Sequence, residues 1–502
     1  MTIKTLVRPN LYRDSVALMR LAAELELMPG IEKASAIMAT EANLAILAET
    51  GTTLDTIAPS PNDLLVVVLG SEESNVAAAI EQADARLEGE AAPLSSGESE
   101  PPRRPRSLVE AATASPSASL ALISCPGEYA TAEAMKALRL DLDAMIFSDN
   151  VRLEDEVALR DLAEAKGRLV MGPDCGTAII NGIPLGFANI VRRGTVGIIA
   201  ASGTGLQHVA CSLDRSGVGI SQAIGTGGRD LSDVVGGTTM LRAIEMLSQD
   251  SGTESLVLIS KPPGKAVASK VIERAGRAGK PVIVAFIGLE APAEAPDNVT
   301  FAATLEDAAA FAVGVEAPPS TIDAATIAKL AGGFAATQRL LVGLYSGGTF
   351  CAETMAIAAP ILGNMSLIGG TNTDEHVILD LGDDVYTRGR PHPMIDFEIR
   401  TKHIRAAAED EKTAVILLDV VLGCGVHPDP ASVLVPVIEE ASEIAQINGR
   451  RLVFVGFVCG TEADPQRLSA QEAALSRAGV ILEPSNAASV LTAISLLEEI
   501  RT

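Results

Sequence analysis

Short apolar runs of strand length, each followed by a stretch of helical period, recur from one end of the chain to the other. Such alternation marks repeated β-α units, in which a crossover helix returns the chain so that the next strand runs parallel to the last. At 502 residues the chain is too long for one core, so several domains are expected. Hydrophobic residues make up 47% of it, aromatics only 3%, and tryptophan is absent, so Ala, Val, Ile and Leu must fill the interior. That usage suits buried parallel strands covered by alanine-rich helices. The expected fold class is α/β, with several Rossmann-like or flavodoxin-like parallel-sheet domains.

The pattern places strands at residues 4–7, 34–38 and 64–69, with a helix over 14–25. Residues 89–119 are rich in Pro, Ser, Glu and Arg and include PPRRPR. Too few apolar side chains occur there to offset the entropy of ordering, so a flexible linker is predicted. A strand at 120–123 is followed by a loop over 124–134, a helix, and a sharp Gly/Pro turn at 171–176. Another block runs from the strand at 196–200 to the strand at 282–286. The Pro-rich stretch 317–323 precedes the last block, roughly 336–502. The division predicted is 1–190 (containing the linker 89–119), 191–318 and 319–502.

Several function classes are disfavoured. A net charge of −25 repels nucleic acid and anionic membrane. It leaves phosphate ligands open, because backbone amides bind anions whatever the net charge. No apolar run approaches the length of a membrane span. The opening MTIKTLVRPNLYRDS lacks the apolar stretch of a secretory signal, so a cytoplasmic location is expected. The six cysteines (Cys125, Cys175, Cys211, Cys351, Cys424, Cys459) form no C-x-x-C pair. Reduced thiols are expected, and no metal site.

GTVGIIAASGTGLQHVA (194–210) and RLLVGLYSGGTFCAETMA (339–356) are both strand, Ser-Gly turn and helix. A strand opening into a glycine-rich helix start leaves N–H groups unpaired beside the positive end of the helix dipole, and both features favour an anion. Ser202, Gly203, Thr204 and Gly205 in the first turn, and Ser346, Gly347, Gly348 and Thr349 in the second, are therefore candidate phosphate ligands. Two ordinary N-capped turns are the competing reading, and the matched pair favours the anion. No Walker A loop occurs, and no G-x-G-x-x-G follows the first strand, so ATP and NAD lack support.

His208 follows the first turn, either beside the anion or packed in the core; His376 and His403 read as structural. His392 lies in RGRPHPMID with Arg388 and Arg390, and His427 in GCGVHPDP with Asp429. Rigid proline-flanked loops at strand ends suit a small anionic substrate, while a rigid turn with a solvated histidine is the alternative. Cys424 and Cys459 read as small residues squeezed beside glycines, in preference to nucleophiles. Glu462 and Asp464 follow another strand end and are placed in the same crevice.

MGPDCG, TVGIIAASGTGLQHVA and AIGTGGRDLSDVVGG together resemble the succinyl-CoA synthetase α subunit, and the last block resembles the carboxyl-terminal domain of its β subunit. RPNLYRDSVALM, SCPGEYATAEA, RGRPHPMID and GVHPDP resemble the FdrA family. The resemblance implies a CoA-binding-like domain over 1–190, then synthetase α-type and β-type ligase-like domains. It departs from the synthetases in one place that matters. After PVIVAFIG, where they carry a phosphorylated histidine, this chain reads LEAPAEAPDNVTF. The nucleotide-grasping domain and the glycine-rich turn for the CoA diphosphate are not matched either.

FdrA-like proteins resemble a component of an oxamate carbamoyltransferase of allantoin catabolism. That likeness implies a transferase subunit converting an N-carbamoyl compound and phosphate to an amide and carbamoyl phosphate. No covalent cofactor is implied, and CoA is left without support. Companion subunits and an oligomer are implied. Orthophosphate would sit between the two turns, with His392, His427 and Arg390 in catalytic roles and Arg388, Asp429 and Glu462 holding substrate. The rival readings are an acyl-CoA synthetase-like enzyme and a non-catalytic phosphate-binding scaffold.

Overall fold

The computed structural model describes residues 2–13, 15–40, 43–44, 47, 59–89, 105–367, 374–387 and 391–501. It separates into two compact units, Met1–Ala118 with Thr387–Pro391, and Ser119–Tyr386 with His392–Thr502.

In the first unit, strands β1 (Thr2–Arg8), β2 (Ile31–Met38) and β3 (Leu64–Gly70) form a sheet in the order β1-β3-β2. Both neighbours run antiparallel to β3. This corrects the expectation of a parallel sheet in every domain. The helix Ser15–Glu26 does return the chain so that β1 and β2 point the same way, but it leaves a gap between them that β3 fills in reverse. The central strand is apolar on both faces and fully buried over Leu64–Val68. The second half of the predicted linker is not featureless. Ser107 caps a helix over Leu108–Ala114 by accepting from the Glu110 N–H, and Glu110 returns a bond to the Arg106 N–H. This Ser-x-x-Glu signature satisfies two helix-start donors locally. Residues 90–104 of that stretch lie outside the described residues.

The second unit holds three sheets among the described residues. Strands β4 (Leu120–Ile123), β5 (Asp143–Ile146) and β6 (Val170–Met171) are parallel. Most of the loop expected at 124–134 is the start of a helix, Gly127–Arg139. A seven-stranded sheet has the order β13-β12-β11-β9-β10-β7-β8. Its members are β7 (Thr177–Ile180), β8 (Ile183–Gly186), β9 (Arg193–Ala200), β10 (Ile220–Gly225), β11 (Ser255–Ser260), β12 (Val282–Phe286) and β13 (Val299–Phe301). It is parallel except at one edge, where β7 and β8 form a hairpin. Asn181 and Gly182 turn that hairpin with φ of 53° and 80°, the pair of left-handed positions that an Asn-Gly turn supplies.

A fully parallel six-stranded sheet follows, in the order β15-β16-β14-β17-β18-β19. It comprises β14 (Leu340–Tyr345), β15 (Met365–Ser366), β16 (His376–Asp380), β17 (Thr413–Val421), β18 (Val453–Cys459) and β19 (Ile481–Leu482). Every residue of β17 and β18 is buried, as expected of central parallel strands.

One apolar core joins the two large sheets, running from Ile198 and Leu206 through Tyr345 and Phe350 to Val455 and Phe457. The joint is also hydrogen-bonded. Asp464, 1% exposed, accepts from the Asn189 side chain, the Ile190 N–H and the Thr461 N–H, each at 2.8 Å. The Cys424 N–H donates to the Ala188 carbonyl at 2.8 Å. The chain after β8 is thus pinned against the loops that follow β17 and β18.

Candidate active site

Sheet order decides where a ligand can enter. From β9 the chain goes next to β10 on one side, then crosses to β11 on the other; from β14 it goes to β15 and β16, then crosses to β17. A crevice opens at such a reversal, at the carboxyl ends of the strands. The two Ser-Gly turns follow β9 and β14, so each occupies the switch point of its own sheet.

The two turns meet. Ser202 Oγ lies 2.5 Å from Thr349 Oγ1, and Ser202 also caps the helix Gly203–Arg215 by accepting from the Gly205 N–H at 2.9 Å. A side chain on Gly347 would strike Thr204, its Cγ2 and Oγ1 both at 2.5 Å, so the backbones approach this closely only because glycine stands there. Gly347 makes no side-chain cap for the helix Gly348–Leu362. The N–H groups of Gly203, Thr204, Gly348 and Thr349 have no acceptor among the described residues. The Thr204 hydroxyl has none either, although Thr204 is only 6% exposed.

Ser346 departs from expectation. Its N–H and hydroxyl both go to buried Asp419, at 2.9 and 2.5 Å, and Arg400 pairs with the same carboxylate at 2.8 Å. The donor set for an anion therefore lies with Gly203, Thr204, Gly348 and Thr349, while Ser346 anchors its turn to β17.

Register brings two further charged residues to the rim, neither singled out from the sequence. Tyr345 is opposite Asp380, and Ala200 is opposite Ile259, two residues before Lys261. The Asp380 Oδ2 and Lys261 Nζ atoms both stand where a side chain on Gly348 would project. They stand 3.7 Å apart, with Lys261 53% exposed. Burial raises the Asp380 pKa against the opposing effect of Lys261 and the Gly382 N–H.

The remaining candidates fall in several places. His392 Nε2 comes beside Gly382 together with the Ser346 carbonyl and Asp380 Oδ1, at the edge of the cradle. Burial, with the Arg400 charge nearby, pushes its pKa down to about 4, so its ring is neutral at pH 7. His427 packs edge-on against Phe397 and its Nδ1 accepts from the Asp429 N–H at 3.1 Å. Asp429 caps the helix Pro430–Ile447 and accepts from Gln471. Glu462 is tied to Arg467 and to the Ser469 N–H. Asp429 and Glu462, expected to hold substrate, are thus hydrogen-bonded as local caps. Arg388 and Arg390 lie outside the described residues. His208 is packed, not beside the cradle opening: it is 1% exposed and pairs with Glu306 at 2.9 Å.

Opposed switch points joined through a buried seam, each with an anion-seeking helix start, make a succinyl-CoA synthetase-like fold. Comparison with known proteins agrees. A CoA-ligase family model matches residues 344–496, and a CoA binding domain model matches residues 191–288. The α subunit of succinate–CoA ligase [ADP-forming] from Methanothermobacter thermautotrophicus is 31% identical over 190 residues, 37% of this chain and 62% of that subunit. A dinucleotide-forming acetyl-coenzyme A synthetase 1 from Ca. Korarchaeum cryptofilum, solved with phosphate and ADP, covers 76% of this chain at 16% identity and a TM-score of 0.33. That likeness is too distant to carry an argument.

The chain belongs to the family of "Uncharacterized protein YahF" of Escherichia coli (strain K12), with which it is 40% identical over 504 residues, 97% of each chain. These matches overturn the expectation of a carbamoyltransferase, since the domains and relatives are those of CoA ligases.

A third family model, described as the AllF heavy metal-associated domain, matches residues 1–103. No cysteine precedes Cys125 and no histidine precedes His208. The region thus carries neither thiolate nor imidazole, which leaves its methionine thioethers as the only soft ligands. Among the described residues no helix is long and apolar enough to cross a membrane.

Proposed function

We propose that the chain handles the acyl phosphate half of acyl-CoA chemistry, with a phosphoryl group held between the two helix starts. In the direction of thioester cleavage, an orthophosphate oxygen attacks the thioester carbonyl and the C–S bond breaks. Acyl phosphate forms, and the CoA thiolate leaves and takes up a proton. Such a thiolate, from a thiol of pKa about 8.5, departs without a strong general acid. That suits a site whose nearest histidine, His392, is too weak a base at neutral pH for matched proton transfer. Oriented N–H groups at the two starts would stabilise charge on the phosphoryl oxygens and on the developing oxyanion.

The observation that carries this reading is the meeting of the two helix starts, where four N–H groups and the Thr204 hydroxyl beside Gly347 have no acceptor among the described residues. Donors converging from two helix starts favour a ligand with several acceptor oxygens. No histidine stands in residues 287–301, after β12, so a phosphohistidine relay is not part of the proposal. Within the class, the RPNLYRDS to GVHPDP motif set and the AllF-named region support placement with FdrA-type proteins. Companion subunits accompany that placement.

Calorimetric titration with CoA and with acetyl phosphate is the test. Sub-millimolar binding of both is expected, with phosphate-dependent release of free CoA thiol from a short acyl-CoA by the complete assembly. CoA that fails to bind at millimolar concentration would contradict the proposal.

A further inference from the structure

The start of the Gly348 helix is already faced by a charge pair. Asp380, the last residue of β16, lays its carboxylate against the Gly348 backbone, where a bound anion would meet the helix dipole. Lys261, from beyond β11 of the other sheet, reaches the same spot and stands 3.7 Å from that carboxylate. The separation is long for an ion pair, and the lysine is half open to water, so the pair holds weakly. Among the described residues Asp380 has one fixed donor, the Gly382 N–H at 3.1 Å. An entering phosphoryl group would find one cation to gain and one carboxylate to repel it.

We propose that Lys261 and Asp380 form a charge gate that selects dianionic ligands. Lys261 leaves Asp380 for the phosphoryl oxygens, and Asp380 takes a proton from solvent and faces the ligand as a neutral acid. This inference rests on the phosphoryl site proposed above and names what sets its selectivity. A singly charged carboxylate offers Lys261 little more than Asp380 does, whereas a dianion outbids it. Other groups around Asp380 push the same way. Asp383 and the Asp419 carboxylate add negative charge, Arg400 is committed to Asp419, and His392 stays neutral. Cys351 and Tyr386 also face it, with thiol and phenol pKa values raised by burial, and so add no charge at neutral pH. Burial already raises the Asp380 pKa before any ligand arrives. Binding therefore takes up a proton, and affinity falls as pH rises.

Sulfate is the suitable probe, because it is dianionic and does not titrate over the working range. Its binding to the full-length chain is measured by calorimetry between pH 5 and 8, in buffers of different ionisation enthalpy. Wild-type affinity should fall with rising pH, with proton uptake on binding. Asp380→Asn should bind roughly tenfold tighter or more and lose the pH dependence, because one nearby negative charge is gone. Lys261→Met, at an exposed position, should bind at least about tenfold more weakly. Sulfate bound by the wild type but no more tightly by Asp380→Asn, or equally by Lys261→Met, would overturn the gate and leave the phosphoryl site standing. Sulfate bound by neither the wild type nor Asp380→Asn would overturn both.

Discussion

At the scale of single residues, Thr204 separates a ligand site from a pair of capped turns. A threonine in the first turn of a helix ordinarily returns its hydroxyl to the backbone or exposes it to water. Here it has no protein partner among the described residues and lies against Gly347 of the other helix start. Thr204→Val keeps the shape and removes the donor, so melting should be nearly unchanged. Phosphate affinity should fall by roughly 1.5–3 kcal/mol, tenfold or more, the usual worth of a hydrogen bond to a charged group. Paired melting curves and phosphate titrations check this. The sequence pointed to Thr204 because a strand and a Ser-Gly turn precede it. It hid the inward turn of Ser346, which depends on Asp419 seventy-three positions away. Lys261 and Asp380 went unnoticed for the same reason, since each is an ordinary charged residue until strand register sets them against Gly348.

At the scale of elements, the Gly203 helix does two jobs on opposite ends of its first turns. Its start faces the cradle, and one turn further His208 is sealed against Glu306, Phe350 and Phe457. Burial opposes charge on that ring. Its Cys459 and Glu306 partners more than offset burial and raise its pKa to about 9. A histidine whose folded pKa is raised adds stability that is fully present below its unfolded value of about 6.5 and is lost as pH rises through the folded value. The Cys459 thiol, lowered to about 6 by Cys211 and then His208, carries the opposite change, so the pair binds as many protons folded as unfolded and should leave wild-type thermal melts flat between pH 7 and 8.5. A steep loss of stability over that range would mean that Cys459 stays a neutral thiol beside a charged His208. Element type was legible wherever apolar runs were long, as at β12 and β17. Strand direction was not. β-α alternation says that a helix returns the chain, but it does not say that β3 fills the gap in reverse. The helix at Leu108–Ala114 was missed because composition outweighed its Ser-x-x-Glu start.

At the scale of the whole molecule, the cradle exists only if the two large sheets are held in register with each other. The Asp464 clamp and the shared core around Phe350 do this. Asp464→Ala would leave three donors unpaired, two of them buried, a loss of about 2 kcal/mol or more, readable as a drop in the unfolding midpoint with weaker phosphate binding. Unchanged stability would place the joint in the apolar core alone. The α/β class and the synthetase likeness were legible in the motifs around the turns. The carbamoyl activity was not in the residues at all; it came with a resemblance, and the CoA-ligase matches displaced it. One measurement tests most directly whether two helix starts make one site: the stoichiometry of phosphate binding in the wild type, Thr204→Val and Gly347→Ala. The first substitution alters one helix, and the second pushes a methyl group from the other into Thr204. A single phosphate per wild-type chain, with the whole of that binding weakened tenfold or more in either variant, is the result expected of a shared cradle. Two phosphates per chain, or half the binding left after each substitution, would contradict it and return both turns to ordinary helix caps.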